Sequence, residues 1–269
     1  MKAAPVIMPD ELFRIFYIPL LMFFSSDRLL ALDALPLPGD EVHVWHACLD
    51  TDLSDIDYLA SILAADEMER ARRFHFDEHR HHYIIARGLL RCLLGRYLEI
   101  EPDRLRFCYG EYGKPALVQE HGGDWMRFNL SHSHNFALYA FARNRELGID
   151  IERIKKGFAN EQIAERFFSE EETGVLRSLP KSLQDEAFFN CWTRKEAYIK
   201  AKGEGLSMPL HTFDVSLIPG EPARLLASRL DSEEASRWTL IHLTPCDGYV
   251  GAVAAEGIDW QLKLKDFDF

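Results

Sequence analysis

The stretch FNLSHSHNFALYAFARNRELGIDIERI, residues 128–154, decides how this chain is read. FNLSHS and FALYAFA are strand-like, RNRE marks a turn, and GIDIERI continues as a strand. Successive side chains of a strand point to opposite faces, so Ile149 and Ile151 go one way and Asp150 and Glu152 the other. Gly148 falls on the carboxylate side and is expected to leave room there for a ligand. Two carboxylates about 7 Å apart on one face repel unless they are solvated or bridged by a cation. Taken alone, such a pair is usually a solvated strand face. If bridged, its hard oxygen donors suit Mg²⁺, which commonly takes one or two carboxylates together with substrate phosphates.

Outward from this stretch the elements are mixed. EVHVWHACLD (41–50) alternates as a strand does, after a Pro/Gly-rich linker at 35–41. A helical stretch opens at Ser54 and runs through the Arg70–Arg73 region. EHRHHYIIARGLLRCLLGRYL (78–98) carries apolar residues at helical spacing. RLRFCY is a short strand, and EYGKPAL and EHGGDW are turn-rich. Ser169 with Glu172 forms a capping-box pattern that predicts a helix start at FFSEEE. LQDEAFFNCWTRKEAYIKAKG (183–203) is a long helix closed by Gly203. FDVSL, RWTLIHL and YVGAVAA are later strands. Strands and helices do not alternate regularly, which predicts an α+β class.

The chain has 269 residues, 47% apolar and 28% charged, with a formal net charge of −12. That balance argues against a general nucleic-acid or membrane-surface binder, and leaves open a local basic pocket for a phosphorylated small molecule. Five widely spaced cysteines without a CxxC pair disfavour a disulfide framework and a cysteine zinc site, and fit a reducing cytoplasm. ELFRIFYIPLLMFF (11–24) is apolar but carries Glu11, Arg14 and Pro19 and is too short to span a bilayer well. It is expected to pack on the body as an extension.

Two further clusters carry charge. In WTRKEAYIK (192–200), Trp192, Glu196 and Lys200 share one helical stripe. A Glu196–Lys200 ion pair, contributing about 0.3–0.5 kcal/mol, would be the plain explanation, but Trp192 beside it marks a partly buried face. Lys114, between Gly113 and Pro115, sits in a stiff turn that could hold its ammonium outward. Ser131 and His132 on their strand, and the arginines near Arg70–Arg73, are donors suited to phosphate oxygens. An HxH metal pair, His132 with His134, is disfavoured because no third nitrogen or sulfur ligand sits at useful spacing.

In order along the chain, YGKP, FNLSHS, GIDIE, RFFSEEE and WTRKEAYIKAKGEGL resemble the motifs of the Sfp-type 4′-phosphopantetheinyl transferases. The resemblance runs from about Glu41 onward and is strongest over residues 110–206. It implies a pseudo-dimer of two similar halves, each a small antiparallel sheet packed with a long helix. Residues 1–40 would be an extension, 41–124 the first half, and 125–269 the second half with the metal and catalytic motifs. Coenzyme A, as co-substrate, would bind in the cleft between the halves. The implied reaction moves its phosphopantetheine arm to a serine of an apo acyl, peptidyl or polyketide carrier protein, releasing adenosine 3′,5′-bisphosphate. By resemblance Asp150, Glu152 and Glu196 hold Mg²⁺, and Glu196 and Lys200 act in catalysis. Lys114, Ser131 and His132 hold the nucleotide and its phosphates, and Arg70 lies near the 3′-phosphate.

The chain departs from the pattern in two places. Glu67 stands where a second basic residue is common, and His82 stands where many relatives carry a phosphate-binding arginine, with Arg80 nearby as a substitute. A monomer without a membrane span or nucleic-acid partner is expected, with Phe168 in the carrier-docking surface. The competing readings are a Mg²⁺-dependent phosphodiesterase or nucleotidyl transferase, and a non-catalytic coenzyme A or carrier-binding module.

Overall fold

The computed structural model describes residues 34–50, 53–158 and 161–266. The apolar stretch 11–24, and with it most of the expected extension, lies outside the described residues.

The elements follow in order as β1 (Glu41–Cys48), α1 (Leu53–Ser61), α2 (Ala65–Arg72), α3 (Asp77–Leu98), β2 (Phe107–Tyr109), β3 (Pro115–Leu117), β4 (Met126–Ser133), β5 (Phe136–Arg143) and β6 (Leu147–Arg153). They continue as α4 (Glu161–Phe167), α5 (Glu170–Ser178), α6 (Lys181–Lys202), β7 (Phe213–Val215), β8 (Leu225–Ser228), α7 (Glu234–Arg237), β9 (Trp238–Leu243), β10 (Tyr249–Glu256) and β11 (Gln261–Asp266). The class is α+β. One sheet has the order β11-β1-β5-β4, a second β6-β10-β9. Each is packed with a 22-residue helix, α3 on the first and α6 on the second, the two-half arrangement that the resemblance implies.

Strand alternation builds the layers. On β5, Ala137, Tyr139 and Phe141 face a core shared with α1 and α3, including Leu59, Leu89 and Leu93. The residues between them, Leu138, Ala140 and Ala142, face a second core that joins the two sheets through Leu147, Ile149 and Ile151 of β6 and Val253 and Ala255 of β10. Ala252 and Ala254, on the other face of β10, pack against α6 through Ala197, Tyr198 and Ala201. The result is helix, sheet, sheet, helix, with both sheets buried on two faces. FALYAFA accordingly reads as a near-continuous apolar run.

Two features lay beyond sequence patterning. The hairpin β4–β5 pairs with β1, so the first sheet draws strands from both sides of residue 125. The last strand, β11, returns to the same sheet and pairs with β1 in parallel, from Glu41 opposite Gln261 to His46 opposite Asp266. The helical stretch from Ser54 is two helices, α1 and α2.

Other expectations hold in detail. Ser169 caps α5, its hydroxyl accepting from Glu172 N, while the Glu172 carboxylate accepts from Ser169 N. Gly203 closes α6 at a φ of 75°, the left-handed position that glycine adopts without strain. All five cysteines are free. Among the described residues no helix is long and apolar enough to cross a membrane.

Candidate active site

β4 and β6 are the terminal strands of their sheets, and side chains join them. Asn129, Ser131 and Ser133, at two-residue spacing on β4, face β6. Asn129 Oδ1 accepts from Ile149 N at 2.9 Å, and Ser133 Oγ accepts from Arg153 N at 3.2 Å. Ser131 Oγ donates to Asp150 Oδ1 at 2.7 Å and Ser133 Oγ to Glu152 Oε2 at 2.9 Å. The polar positions of FNLSHS thus satisfy the open backbone edge of GIDIE and fix its carboxylates in one operation.

The carboxylate face of β6 lies against α6. A Cβ on Gly148 would sit 2.2 Å from Ala197 O and 2.4 Å from Ala201 N. The space expected to admit a ligand is filled by helix backbone, and the absent side chain lets α6 approach closely enough to bring Glu196 and Lys200 to the carboxylates. Gly148→Ala is therefore expected to destabilise the fold by about 3 kcal/mol, the upper end of an overpacking penalty, because the obstacle is backbone rather than a side-chain tip. A denaturant melt equal to wild type would refute this close-packing role.

The resulting cleft has a volume of about 540 Å³, and Asp150, Glu152, Trp192, Glu196 and Lys200 form one wall. The expected stripe of α6 is real: Trp192 is held by Phe167 and Phe188, with Glu196 and Lys200 beyond it. The residues between them turn inward. Lys195 is fully buried, paired to Glu172 Oε2 at 2.8 Å and donating to Leu210 O and Phe213 O. Lys200 does not spend its ammonium on Glu196. It donates to Asp150 Oδ1 at 2.6 Å, Ser131 Oγ at 3.0 Å and Ile149 O at 3.4 Å.

The wall is short of positive charge. Asp150 Oδ2 is buried and has no hydrogen-bond partner among the described residues. Desolvation, then the charge of Asp150, pushes the Glu152 carboxyl up. Desolvation, then Asp150, with Glu152 contributing, pushes Glu196 up to about 7 despite the opposing charge of Lys200. Among the described residues no three His, Cys, Asp or Glu side chains form a ready-made metal cluster. Asp150, Glu152 and Glu196 line one cleft but do not close a cage on their own. An all-oxygen wall with an orphaned buried carboxylate oxygen and two reluctant carboxylates fits a hard dication that draws its remaining ligands from a substrate.

The folded state raises the Glu196 pKa, so its contribution to stability is full below about 4.5 and lost as pH rises through about 7. Without divalent metal, Glu196→Gln is expected to be more stable than wild type at pH 8 by on the order of 2 kcal/mol, the advantage fading toward pH 5. Melts of both proteins across that range test it; a difference that does not vary with pH would contradict it.

The opposite wall comes from the first half. Arg70, Phe74, Tyr83, Arg87 and Tyr109 line it, with Ser131 and His132 between the walls. The Arg70 guanidinium lies 5.7 Å from the Tyr83 ring centre. Desolvation among the cleft walls, then the charges of Lys200, His82 and Arg70, lowers the His132 pKa.

Other expected site residues lie elsewhere. Lys114 Nζ donates to Leu147 O and Ala201 O, both at 3.1 Å, and meets Glu146 at 3.5 Å. Its ammonium is not held outward but ties the β2–β3 turn to β6 and the end of α6. His82 is buried with Nε2 3.3 Å from Asp50 Oδ1, and Arg80 pairs with Asp77; neither belongs to the cleft lining. Phe168 is buried in the core between the second sheet and α6, where it cannot meet a docking partner. Glu67, the departure at a basic position, is a buried hub for Arg87 and Arg91. Sequence reasoning missed Tyr83, Arg87 and Tyr109. The available signal was Tyr83 and Arg87 at i, i+4 on the 78–98 helix, one polar face on an otherwise apolar element.

Residues 146–254 match the family model of the 4′-phosphopantetheinyl transferase superfamily, and residues 49–144 that of the 4′-phosphopantetheinyl transferase N-terminal domain. The chain is 43% identical over 230 residues to 4′-phosphopantetheinyl transferase HetI of Nostoc sp., covering 86% of this chain and 94% of that protein. It is 35% identical over 157 residues to 4′-phosphopantetheinyl transferase Sfp of Bacillus subtilis, covering 58% of this chain and 67% of the relative.

Proposed function

Because this chain belongs to the 4′-phosphopantetheinyl transferase superfamily, and is an enzyme that transfers 4′-phosphopantetheine to carrier proteins, we propose that its cleft takes coenzyme A as donor and Mg²⁺ as resident ion. The observation that carries this reading is the opposition of two walls. One presents Asp150, Glu152 and Glu196 beside Lys200, and the other presents arginine and aromatic side chains.

Asp150, Glu152 and Glu196 would hold the ion, which when bound neutralises charge on the donor's pyrophosphate. Lys200, fixed by Asp150 and Ser131, lies where it can meet the leaving phosphate. The carrier serine Oγ forms a bond to the β-phosphorus, and the bond from that phosphorus to the bridging oxygen breaks. Adenosine 3′,5′-bisphosphate carries away the electron pair. The serine proton goes to Glu196, directly or through a water. A carboxyl drawn up toward 7 by its surroundings is a better base than an ordinary one, although a bound dication would oppose that shift. Positioning and charge neutralisation do most of the work in such a transfer. His132, at the junction of the walls, donates to the pyrophosphate.

The chain carries both halves of the cleft, and we place it as a monomer acting in the cytoplasm. Incubation with apo-carrier, coenzyme A and Mg²⁺ tests the reaction. The carrier is expected to gain the mass of one phosphopantetheinyl group. Consumption of coenzyme A without that gain would make the protein a hydrolase, and binding without either would make it a non-catalytic module. A panel of fatty-acid, polyketide and nonribosomal-peptide apo-carriers then identifies the preferred acceptor.

A further inference from the structure

Two of the five cysteines meet at one end of the interface between the two sheets. Cys48 closes β1. Strand alternation from Val42 and Val44, which face the core between the sheets, turns its side chain toward the second sheet. Across β1 and β5 it lies directly opposite Phe136. The Phe136 ring packs edge-on against Tyr249 of β10, with ring centres 5.0 Å apart. Tyr249 N in turn donates to Cys246 O at 3.2 Å, closing the turn between β9 and β10. Cys246 packs against the same core between the sheets. One thiol from each sheet therefore flanks a single aromatic pair.

The remaining cysteines are placed differently. Cys92 and Cys191 are buried, each in the core between one sheet and its helices. Cys108 is exposed on β2, its thiol donating to the carbonyls of Ala116 and Leu117. Cys48 is exposed and Cys246 partly so, and the Cys48 thiol makes a long contact, 3.9 Å, to Asp50 O. Burial, then the charge of Asp247, then that of Cys48, push the Cys246 thiol up to about 11. Burial raises the Cys48 thiol as well. With little thiolate at neutral pH, the pair resists weak disulfide oxidants and stays reduced in a reducing compartment.

We propose that Cys48 and Cys246 are a peroxide-oxidisable dithiol whose disulfide staples the first sheet to the second. Cys48, the more exposed thiol, attacks one oxygen of hydrogen peroxide as its thiolate. The O–O bond breaks, Cys48 becomes a sulfenic acid, and the departing hydroxide takes the Cys48 thiol proton to form water. The Cys246 sulfur then attacks the Cys48 sulfur. The S–O bond breaks, and the second hydroxide takes the Cys246 proton to form a second water. Two thiols are thus oxidised by two electrons while one peroxide is reduced to two waters. The bond needs the two Cβ atoms within about 4.5 Å of each other, and the cysteines sit where backbone can give, one at a strand end and one in a hairpin turn. Glu152 of the carboxylate wall pairs with Val250, next to Tyr249. The staple therefore fixes the sheets to one another beside the cleft and slows their separation on heating.

The full chain, reduced and then treated with hydrogen peroxide, is alkylated and digested without reductant for mass spectrometry. The expected product is a peptide pair joined through Cys48 and Cys246, from a protein two hydrogens lighter, with Cys108 open to alkylation. Cys48→Ser and Cys246→Ser are each expected to abolish it. Dibromobimane, which becomes fluorescent on bridging two nearby thiols, is expected to label the reduced wild type and neither variant. The oxidised wild type should melt about 5 °C higher than the reduced protein, because the bond closes a long loop, and both variants should lose that shift. Cys48 carried on to a sulfinic acid while Cys246 stays open to alkylation would overturn the pairing. So would a link through Cys108, or a reduced protein that dibromobimane leaves unbridged. A linked protein that melts no higher than the reduced one would overturn the staple.

Discussion

Replacing Glu196 by glutamine is expected to lower kcat for transfer by about 10³-fold, within the range that a positioned general base contributes. Affinity for coenzyme A should change little. Glutamine keeps the shape of the side chain and its place on α6 beyond Trp192, so the cleft wall stays intact. What it removes is the group that can accept the carrier serine's proton, and one of the charges that a dication would neutralise. Steady-state transfer and calorimetric coenzyme A binding in parallel separate the two effects. A variant with near-normal turnover would remove Glu196 from the chemistry. A large loss of coenzyme A affinity with kcat preserved would instead make it a binding group.

Asp150→Asn is the second. It is expected to reduce kcat by about 10²–10³-fold, as for loss of a group that stabilises charge in the transition state, and to raise the Mg²⁺ concentration needed for activity. In metal-free buffer the same variant should melt no lower than wild type. Asparagine Oδ1 can still accept from Lys200 Nζ and Ser131 Oγ, the two contacts that Asp150 Oδ1 makes. Removing the charge also relieves its repulsion of Glu152 and Glu196, whose carboxyls it helps to push up. A metal-binding role and a purely structural one thus predict different pairs of results. Lost activity with a lower melting temperature and an unchanged Mg²⁺ titration would point to structure alone.

Much of the site was legible because its residues obey a period. Alternation in GIDIE put Ile149 and Ile151 in the central core and Asp150 and Glu152 on the other face. The stripe of Trp192, Glu196 and Lys200 followed from helical geometry, and the cap of α5 from the Ser169–Glu172 spacing. The misreadings concern partners distant in sequence. Strand alternation alone leaves open space at Gly148, which the backbone of α6, about fifty residues on, fills. The Gly-Lys-Pro turn alone suggests an outward ammonium, whereas Lys114 is consumed by carbonyls of β6 and α6. Glu67 stands at a position where a cation is expected and is the anchor of Arg87 and Arg91.

The class, the order of most elements, the family, and the short segments that carry the chemistry are all legible in the amino-acid pattern. Each of these depends on neighbours within a few turns of helix or a few positions of strand, where covalent geometry fixes the direction of a side chain. Which charges are spent on the protein and which remain for a ligand depends on long-range packing. Lys195 and Lys200 lie five residues apart on one helix, yet one is sealed against Glu172 and the other reaches the cleft beside Asp150. That division is set by which strand packs on which face, and by whether the desolvated charge finds its partner inside the fold or must await one from outside.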